Sequence, residues 1–152
     1  GFMETMVVAT PVMAAEYATA TMTINGSGGV AGVQYDLDGT NPDVFRAASG
    51  DGGAVTGKNQ KGTTITATTT TSSGQTVTAD KFVVARVEIS PNGRIDYLLA
   101  ADTELTQFES ITGAITASDL FYAVLMIENR EAAAKEFEVD YVYARGFRDW
   151  TA

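Results

Sequence analysis

The sequence contains no cysteine and no histidine, and these two absences narrow the chemistry open to it. Without cysteine there can be no disulfide bridge and no thiolate nucleophile. Without either residue type there is no Cys/His metal site and no Ser-His-Asp hydrolytic machinery. The lack of cysteine fits any compartment, so it does not locate the protein.

Positive charge is scarce as well. Ten basic residues stand against 19 acidic ones, which gives a formal charge of −9. A surface this negative repels phosphate backbones, so we expect no nucleic-acid binding through a basic groove. No apolar run reaches the roughly 18 residues that span a bilayer, so we expect no membrane insertion. The apolar stretch 6–15 follows Glu4 and has no basic region before it, which favours a strand over a signal peptide.

What the sequence does contain is typical of a globular β-protein. Its 152 residues, 45% hydrophobic and 19% charged, predict one domain over 1–152 with its own core. Its first strand would start near residue 2, and a short tail would cover 146–152. The best local helix former, EAAAK at 131–135, is too short to hold a helix alone, so a turn between strands is predicted there.

Strand signals recur along the chain as short runs of Thr, Val, Ile, Tyr and Phe, separated by Gly, Asn-Gly and Pro. The predicted strands are 2–9, 17–25, 30–37, 43–49, 62–74, 81–89, 93–99, 121–129 and 135–145. Residues 50–62 are predicted as a loop, and 101–112 as a loop or one helical turn. About nine strands with regular turns predict an all-β, two-sheet antiparallel sandwich of the jelly-roll type.

Five stretches allow a more detailed prediction. Residues 30–37 and 43–49 are expected to form a hairpin, and Ser-Pro-Asn-Gly at 90–93 a tight turn. Residues 17–25 alternate as one strand, with Tyr17 and three threonines on one face. Residues 121–129 are apolar on both faces, as in a central strand covered on both sides.

Three quoted stretches together resemble a known family. They are AGVQYDLDGTNPDVFRAAS, RVEISPNGRIDYLL and FYAVLMIENREAAAKEFEVDYVYARG. Their order resembles concanavalin A-like (laminin-G-like) jelly-roll domains, in which an arginine-plus-acid strand leads through an Asn-Gly turn to an aromatic strand. A central strand ending in Glu-Asn, an Ala-rich turn and a last strand reading Val-Asp-Tyr-Val then follow. The first stretch is similar to a strand pair of such domains from bacteriophage virions.

This resemblance covers 30–49 and 81–146, somewhat over half the chain. It implies a non-enzymatic structural protein of a virion, either a capsid decoration protein or a fibre or tail component. For such a protein we expect a homo-oligomer that contacts major capsid or tail proteins. We expect no cofactor.

Glu138 and Asp140 raise the question of glycosidase activity. Laminarinase-like enzymes of this fold carry Glu-x-Asp-x-x-Glu, whose outer carboxylates lie about 5–5.5 Å apart across the scissile bond. Tyr143 stands where the second glutamate is required. We therefore predict no catalytic residues, and a plain polar face on the last strand.

Oxygen donors cluster at Asp36, Asp38, Asn41 and Asp43. They could hold calcium, as in lectins of this fold, or simply form the turn that such residues favour. The spacing lacks the helix-flanked loop and distant glutamate of an EF-hand, so we predict a turn and no metal.

Exposed aromatic residues could instead bind a glycan. Tyr122, Phe147 and Trp150 are available, although an aromatic residue near a chain end more often anchors that end or contacts a neighbouring subunit. A carbohydrate-binding module of an extracellular surface or fibre-tip protein is therefore the alternative to the virion protein.

Overall fold

The structure is a computed structural model, and it describes residues 1–4, 15–18, 21–24, 28–35, 44–51, 55–56, 58–60, 63–64, 72–76, 82–101, 104–116, 120–127 and 138–146. Over these residues it is all-β and has no helix, which confirms the predicted class. The strands are β1 (Phe2–Met3), β2 (Ala15–Ala18), β3 (Thr21–Ile24), β4 (Gly29–Gln34), β5 (Val44–Asp51), β6 (Val55–Thr56), β7 (Lys58–Gln60), β8 (Thr63–Thr64), β9 (Ser72–Thr76), β10 (Val83–Ile89), β11 (Arg94–Ala101), β12 (Thr106–Thr112) and β13 (Tyr122–Ala123).

Two sheets make up most of the described structure. The first has the strand order β13-β1-β4-β5-β9, and the second has the order β10-β11-β12. Two smaller sheets, β2-β3-β6 and β7-β8, complete the described set. Neighbouring strands pair antiparallel in every described ladder, as the turn-rich sequence predicts.

The predicted hairpin of β4 and β5 is confirmed, with Gly29 paired to Asp51 and Gln34 paired to Arg46. Likewise β10 and β11 form a hairpin that begins at the pair Ile89–Ile95. Each of these ladders runs through six or more consecutive pairs. Both hairpins join strands that follow one another in the sequence.

The turn at 90–93 explains why β10 and β11 pair in this register. The Gly93 N–H donates to the Ser90 carbonyl at 2.9 Å, and the Ser90 N–H donates to the Arg94 carbonyl at 2.8 Å. Asn92 Oδ1 accepts from the Arg94 N–H at 3.2 Å. Gly93 has φ 78°, the left-handed conformation that closes a three-residue hairpin loop and favours glycine.

The core lies between the two large sheets. Ala31 and Ala47 of the first sheet pack against Ile95, Tyr97 and Ile111 of the second. The Tyr97 hydroxyl donates to the carbonyl of Ala48 at 3.2 Å, which ties the sheets together. Burial raises the pKa of the Tyr97 phenol, so the hydroxyl stays protonated as a donor. Face-to-face packing of two antiparallel sheets gives a β-sandwich-like arrangement.

One predicted loop is a strand. Residues 101–112 were expected to be a loop or helical turn, yet Thr106–Thr112 form β12. Tyr97 pairs with Glu109 whereas Leu98 pairs with Gln107, so Phe108 is the extra residue of a β-bulge. Phe108 and Ile111, three positions apart, both pack on the core, which strict alternation forbids. The bulge interrupts the period-two alternation by which a strand is recognised in a sequence.

The predicted single strand over 17–25 is also wrong. It is the hairpin β2–β3, in which Tyr17 pairs with Met22 and Ala18 pairs with Thr21. The predicted assignment of side chains to two faces assumed a continuous strand and therefore does not hold. No Gly, Asn, Asp or Pro stands between Ala18 and Thr21 to mark the reversal in the sequence.

The prediction of a loop over the glycine-rich region 50–62 is wrong in part. Part of the predicted loop 50–62 is extended, since β6 pairs with β3, and β7 pairs with β8. The predicted strand 62–74 is represented by β8 and the start of β9. The predicted strand 2–9 is represented by β1, and its residues 5–9 lie outside the described part.

Candidate interaction surface

Residues 120–127 form the outer margin of the first sheet. Within this segment β13 pairs with β1, joining Ala123 to Phe2 and Tyr122 to Met3. The Gly1 ammonium donates to the Val124 carbonyl at 2.9 Å, and the Val124 N–H donates to the Gly1 carbonyl at 2.8 Å. β13 stands at the end of the strand order, and among the described residues no strand lies beyond it.

The inner side of this segment is anchored on the core. Phe121 packs against the core cluster, and its ring lies over Gly29. A Cβ at position 29 would stand 3.2 Å from that ring and 3.3 Å from Ile115, closer than side chains normally pack. The Gly29 N–H also donates to Glu4 Oε2 at 2.8 Å. Glycine at this position therefore lets the aromatic ring close down on the sheet.

The outer side of the same segment is apolar and uncovered. Leu120 is 83% exposed, and Tyr122, Leu125 and Ile127 are each more than half exposed. The predicted central strand over 121–129 is thus wrong for its described residues, of which only Tyr122–Ala123 form a strand at an edge. Apolar residues on both faces indicate that a strand needs cover, but they do not tell what supplies it.

Residues 138–146 are the second uncovered segment. All nine are exposed and none belongs to a strand, so the predicted last strand 135–145 is wrong over 138–145. In such a strand Val139, Tyr141 and Tyr143 would lie on the face opposite Glu138 and Asp140, yet Tyr143 is 76% exposed. Alternation produces a buried face only where a second layer covers it, and the described chain places none over this segment.

We call residues 120–127 and 138–146 the two apolar segments. Ten large hydrophobic side chains are exposed among the described residues, and eight of them lie in these segments. The other two, Phe82 and Val84, stand at the start of β10 and its approach. Concentrations of exposed apolar side chains mark surfaces that bind another molecule. These segments are therefore the candidate site.

Comparison with protein-family models, with curated proteins and with solved structures gives no match. The resemblance to concanavalin A-like domains therefore stays a prediction from the residues that carry it. The all-β class and the antiparallel sheets rest on the structure itself.

The candidate catalytic carboxylates lie on the second apolar segment. Glu138 and Asp140 are both exposed, in a stretch without strand structure, and Tyr143 beside them is exposed as well. Among the described residues, no group of three acidic or other ligating side chains could hold a metal ion. No helix in the described ranges is long and apolar enough to cross a membrane.

Several other candidates cannot be placed. The turn residues Asp36, Asp38, Asn41 and Asp43, together with Phe147 and Trp150, lie outside the described residues. Tyr122 is described and is exposed on β13. The structure therefore brings Tyr122 into the candidate site but does not test a calcium or tryptophan site.

Sequence reasoning missed the importance of Leu120, Leu125 and Ile127. The available signal was the apolar run on both faces of 121–129, which was interpreted as burial within the sandwich. For a strand at the end of a sheet, the same signal indicates a surface that another strand or layer can cover.

The outward face of the second sheet carries paired charges. Arg94 Nε donates to Asp96 Oδ1 at 2.9 Å and to Ser110 Oγ at 3.0 Å, and Arg94 Nη2 lies 2.8 Å from the same carboxylate. Partial burial raises the pKa of Asp96, but the Ser110 and Arg94 hydrogen bonds and the Arg94 charge outweigh it, so the pKa is lowered. Glu88, directly opposite Asp96, is paired with Arg86. Charges on this face are balanced locally.

Proposed function

We propose that the chain is a non-enzymatic structural protein of a phage or virus particle. It is a capsid decoration protein, or a fibre or tail component, that acts through contacts between subunits in the virion. Its sandwich is a single domain of the concanavalin A-like jelly-roll type. The observation that carries the proposal is the concentration of exposed large apolar side chains on the two apolar segments.

The exposed apolar side chains supply the driving force for such a role. Apolar area that is buried on association stabilises a complex by roughly 25 cal/mol per Å².

The distribution of charge fits the same role. Residues 120–127 contain no charged side chain, and 138–146 contain only Glu138, Asp140 and Arg145. Interface centres are depleted in charged residues, which concentrate on the rim and on the free surface. The overall charge of −9 keeps separate copies apart until the apolar segments meet.

The absence of catalysis is supported by the carboxylates themselves. Tyr143 replaces the second catalytic glutamate of the glycosidase motif. Glu138 and Asp140 are exposed to water, whereas the general acid of a glycosidase works in an apolar pocket.

A carbohydrate-binding module is the second candidate, and a specific observation favours it. Tyr122, Tyr141 and Tyr143 are all exposed on the two apolar segments. Aromatic rings with one polar end stack on the apolar faces of sugars while their hydroxyls form hydrogen bonds.

Two exposed valines provide a matched test of the proposal. Val142 lies in an apolar segment, and Val84 lies on the second sheet. In light scattering we expect the wild-type chain to associate, Val142→Lys to dissociate, and Val84→Lys to behave as wild type. A strictly monomeric wild-type chain that binds an immobilised glycan, and loses that binding on Tyr143→Ala, would favour the carbohydrate-binding module instead.

A further inference from the structure

We propose that residues 1–4 are the element that holds the exposed segment 120–127 in its position on the first sheet. The candidate interaction surface is complete only while residues 1–4 are docked between β13 and β4. These four residues therefore position the surface without themselves having to contact the partner. The inference rests on the proposed function, because it concerns the control of the same surface.

β1 has a paired neighbour on each side, since the strand order places it between β13 and β4. On one side Phe2 pairs with Ala123. Met3, the next residue, pairs with Tyr122. On the other side the same two residues pair with 30–31 of β4. β1 therefore links β13 to the rest of the first sheet, and a chain in which β1 leaves β4 loses that link.

The contact with β4 continues one residue beyond β1. The Glu4 N–H donates to the Gly29 carbonyl at 2.9 Å, and Glu4 Oε2 accepts from the Gly29 N–H at 2.8 Å. Met3, the neighbour of Glu4, is only 5% exposed. Undocking residues 1–4 therefore exposes an apolar side chain and breaks a hydrogen bond to a carboxylate, so the docked state is favoured.

Gly1 brings the backbone into close contact with β4. A Cβ at this position would stand 2.7 Å from the Cα of Gly32 and 2.8 Å from the carbonyl oxygen of Ala31. Both are backbone atoms of a paired strand, so they cannot turn aside as a flexible side chain can. On its other side Gly1 both donates to and accepts from the backbone of Val124. Glycine at position 1 therefore allows one residue to contact β4 and the exposed segment together.

The exposed segment has a second attachment at Phe121, whose ring packs on the core. The exposed side chains of Tyr122, Leu125 and Ile127 follow Phe121 in the chain. When residues 1–4 leave β4, this part of the segment loses its support from the sheet while Phe121 stays on the core. A loosened segment binds less tightly, because binding must then also offset the entropy of ordering it.

Two glycines on opposite sides of the same contact provide the test. Gly1→Ala places a Cβ against backbone atoms, whereas a Cβ at Gly32 would lie 3.7 Å from the Cα of Gly1, an ordinary contact. Both variants and the wild type are compared by amide hydrogen exchange, at a dilution that keeps copies separate. In Gly1→Ala we expect exchange over 122–127 to be about tenfold faster, because the hydrogen bonds to Val124 are weakened. Gly32→Ala should behave as the wild type, and exchange in β11 should be unchanged in both variants.

Two results of this comparison would overturn the inference. Unchanged exchange over 122–127 in Gly1→Ala would mean that residues 1–4 do not hold the segment. An equal increase over 122–127, β4 and β11 would mean that the substitution lowers the stability of the whole fold, as a merely structural residue does.

A second pair of variants tests the other end of residues 1–4. Glu4→Ala removes the carboxylate that accepts from Gly29, and Glu104→Ala removes an exposed carboxylate on the approach to β12. We expect faster exchange over 122–127 in Glu4→Ala alone. Equal exchange rates in the two variants would contradict the inference.

The link to binding is tested on the wild-type chain. Association through a surface that requires docking also favours docking, so the Glu4 amide should exchange more slowly at concentrations where light scattering detects association. If exchange at Glu4 does not change on association, the inference fails and the proposed function stands. A wild-type chain that stays monomeric at every concentration contradicts the proposed function instead. The glycine variants then decide by themselves whether residues 1–4 hold the segment.

Discussion

The second sheet and the two apolar segments use the same kinds of residues to opposite effect. Ile95 and Tyr97 of β11 are completely buried, whereas Ile127 is 59% exposed and Tyr141 is 66% exposed. The difference does not lie in the strand-forming tendency of these residues. The first sheet covers β11 with Ala31 and Ala47, and no described part of the chain covers the exposed side chains of the apolar segments.

The comparison shows that an alternating sequence pattern indicates which side chains can be buried. Whether they are buried depends on a second layer that packs against them. Between the two large sheets the cover comes from the chain itself. Along 120–127 and 138–146 we propose that it comes from a neighbouring subunit of the particle. The following changes would break or sharpen that contrast.

The largest expected difference in the free energy of unfolding is between alanine variants of two isoleucines, one buried and one exposed. Ile95→Ala should lower the free energy of unfolding by about 2–5 kcal/mol, because it leaves a cavity between the sheets. Ile127→Ala should change it by less than about 0.5 kcal/mol when copies are dilute enough to be separate. Urea denaturation at low protein concentration measures both. Equal losses would show that 120–127 is covered within one chain.

A smaller difference in the free energy of unfolding is expected between alanine variants of two glycines. Gly93 has φ 78° in the turn between β10 and β11, so Gly93→Ala should cost about 1 kcal/mol of unfolding free energy. Gly146, in the second apolar segment, has open space where a Cβ would stand. Gly146→Ala should therefore be neutral or slightly stabilising. A neutral Gly93→Ala, measured in the same urea titrations, would mean that the turn does not hold this register.

The smallest effect is a pH dependence on the second sheet. The lowered pKa of Asp96 means that its contribution to stability is complete above the usual carboxyl pKa of about 3.9. The contribution disappears as the pH falls through the lowered value. Arg94→Gln should therefore cost up to about 1 kcal/mol at neutral pH and clearly less once Asp96 is protonated, when the hydrogen bond to Ser110 is the polar contact left to lose.

The control for this measurement is Arg86→Gln, which breaks the neighbouring pair with Glu88 on the more exposed edge of the same face. The two variants are compared by denaturation at neutral pH and at a pH below the folded pKa of Asp96. A penalty for Arg94→Gln that persists undiminished in acid would show that Arg94 acts through packing rather than through the carboxylate.

The sequence was sufficient to predict elements whose signals are local. The turn predicted at 90–93 and the strand predicted at 93–99 are both confirmed, the latter as β11. These predictions succeeded because turn chemistry and alternation act over only a few residues.

The predictions that failed concern segments whose structure depends on the strands or layers that they pair with. The bulge at Phe108 shifts the alternation of β12, and Ala18 and Thr21 reverse the chain without a turn residue between them. For the candidate site, the apolar character of 121–129 was read correctly but its exposure was not. Burial depends on a neighbouring layer, which no local pattern specifies.

The pairing of Gly1 with Val124 has a consequence for the order of folding. These residues are 123 positions apart, whereas β10, β11 and β12 are joined in sequence by short connections. Closing a long loop costs more entropy than closing a short one, so the second sheet should form early and the β1–β13 pair late. The exposed segment 120–127 would then reach its final position only once the rest of the chain has folded. Contacts between subunits through this segment would accordingly follow folding, which limits mispairing between unfinished chains.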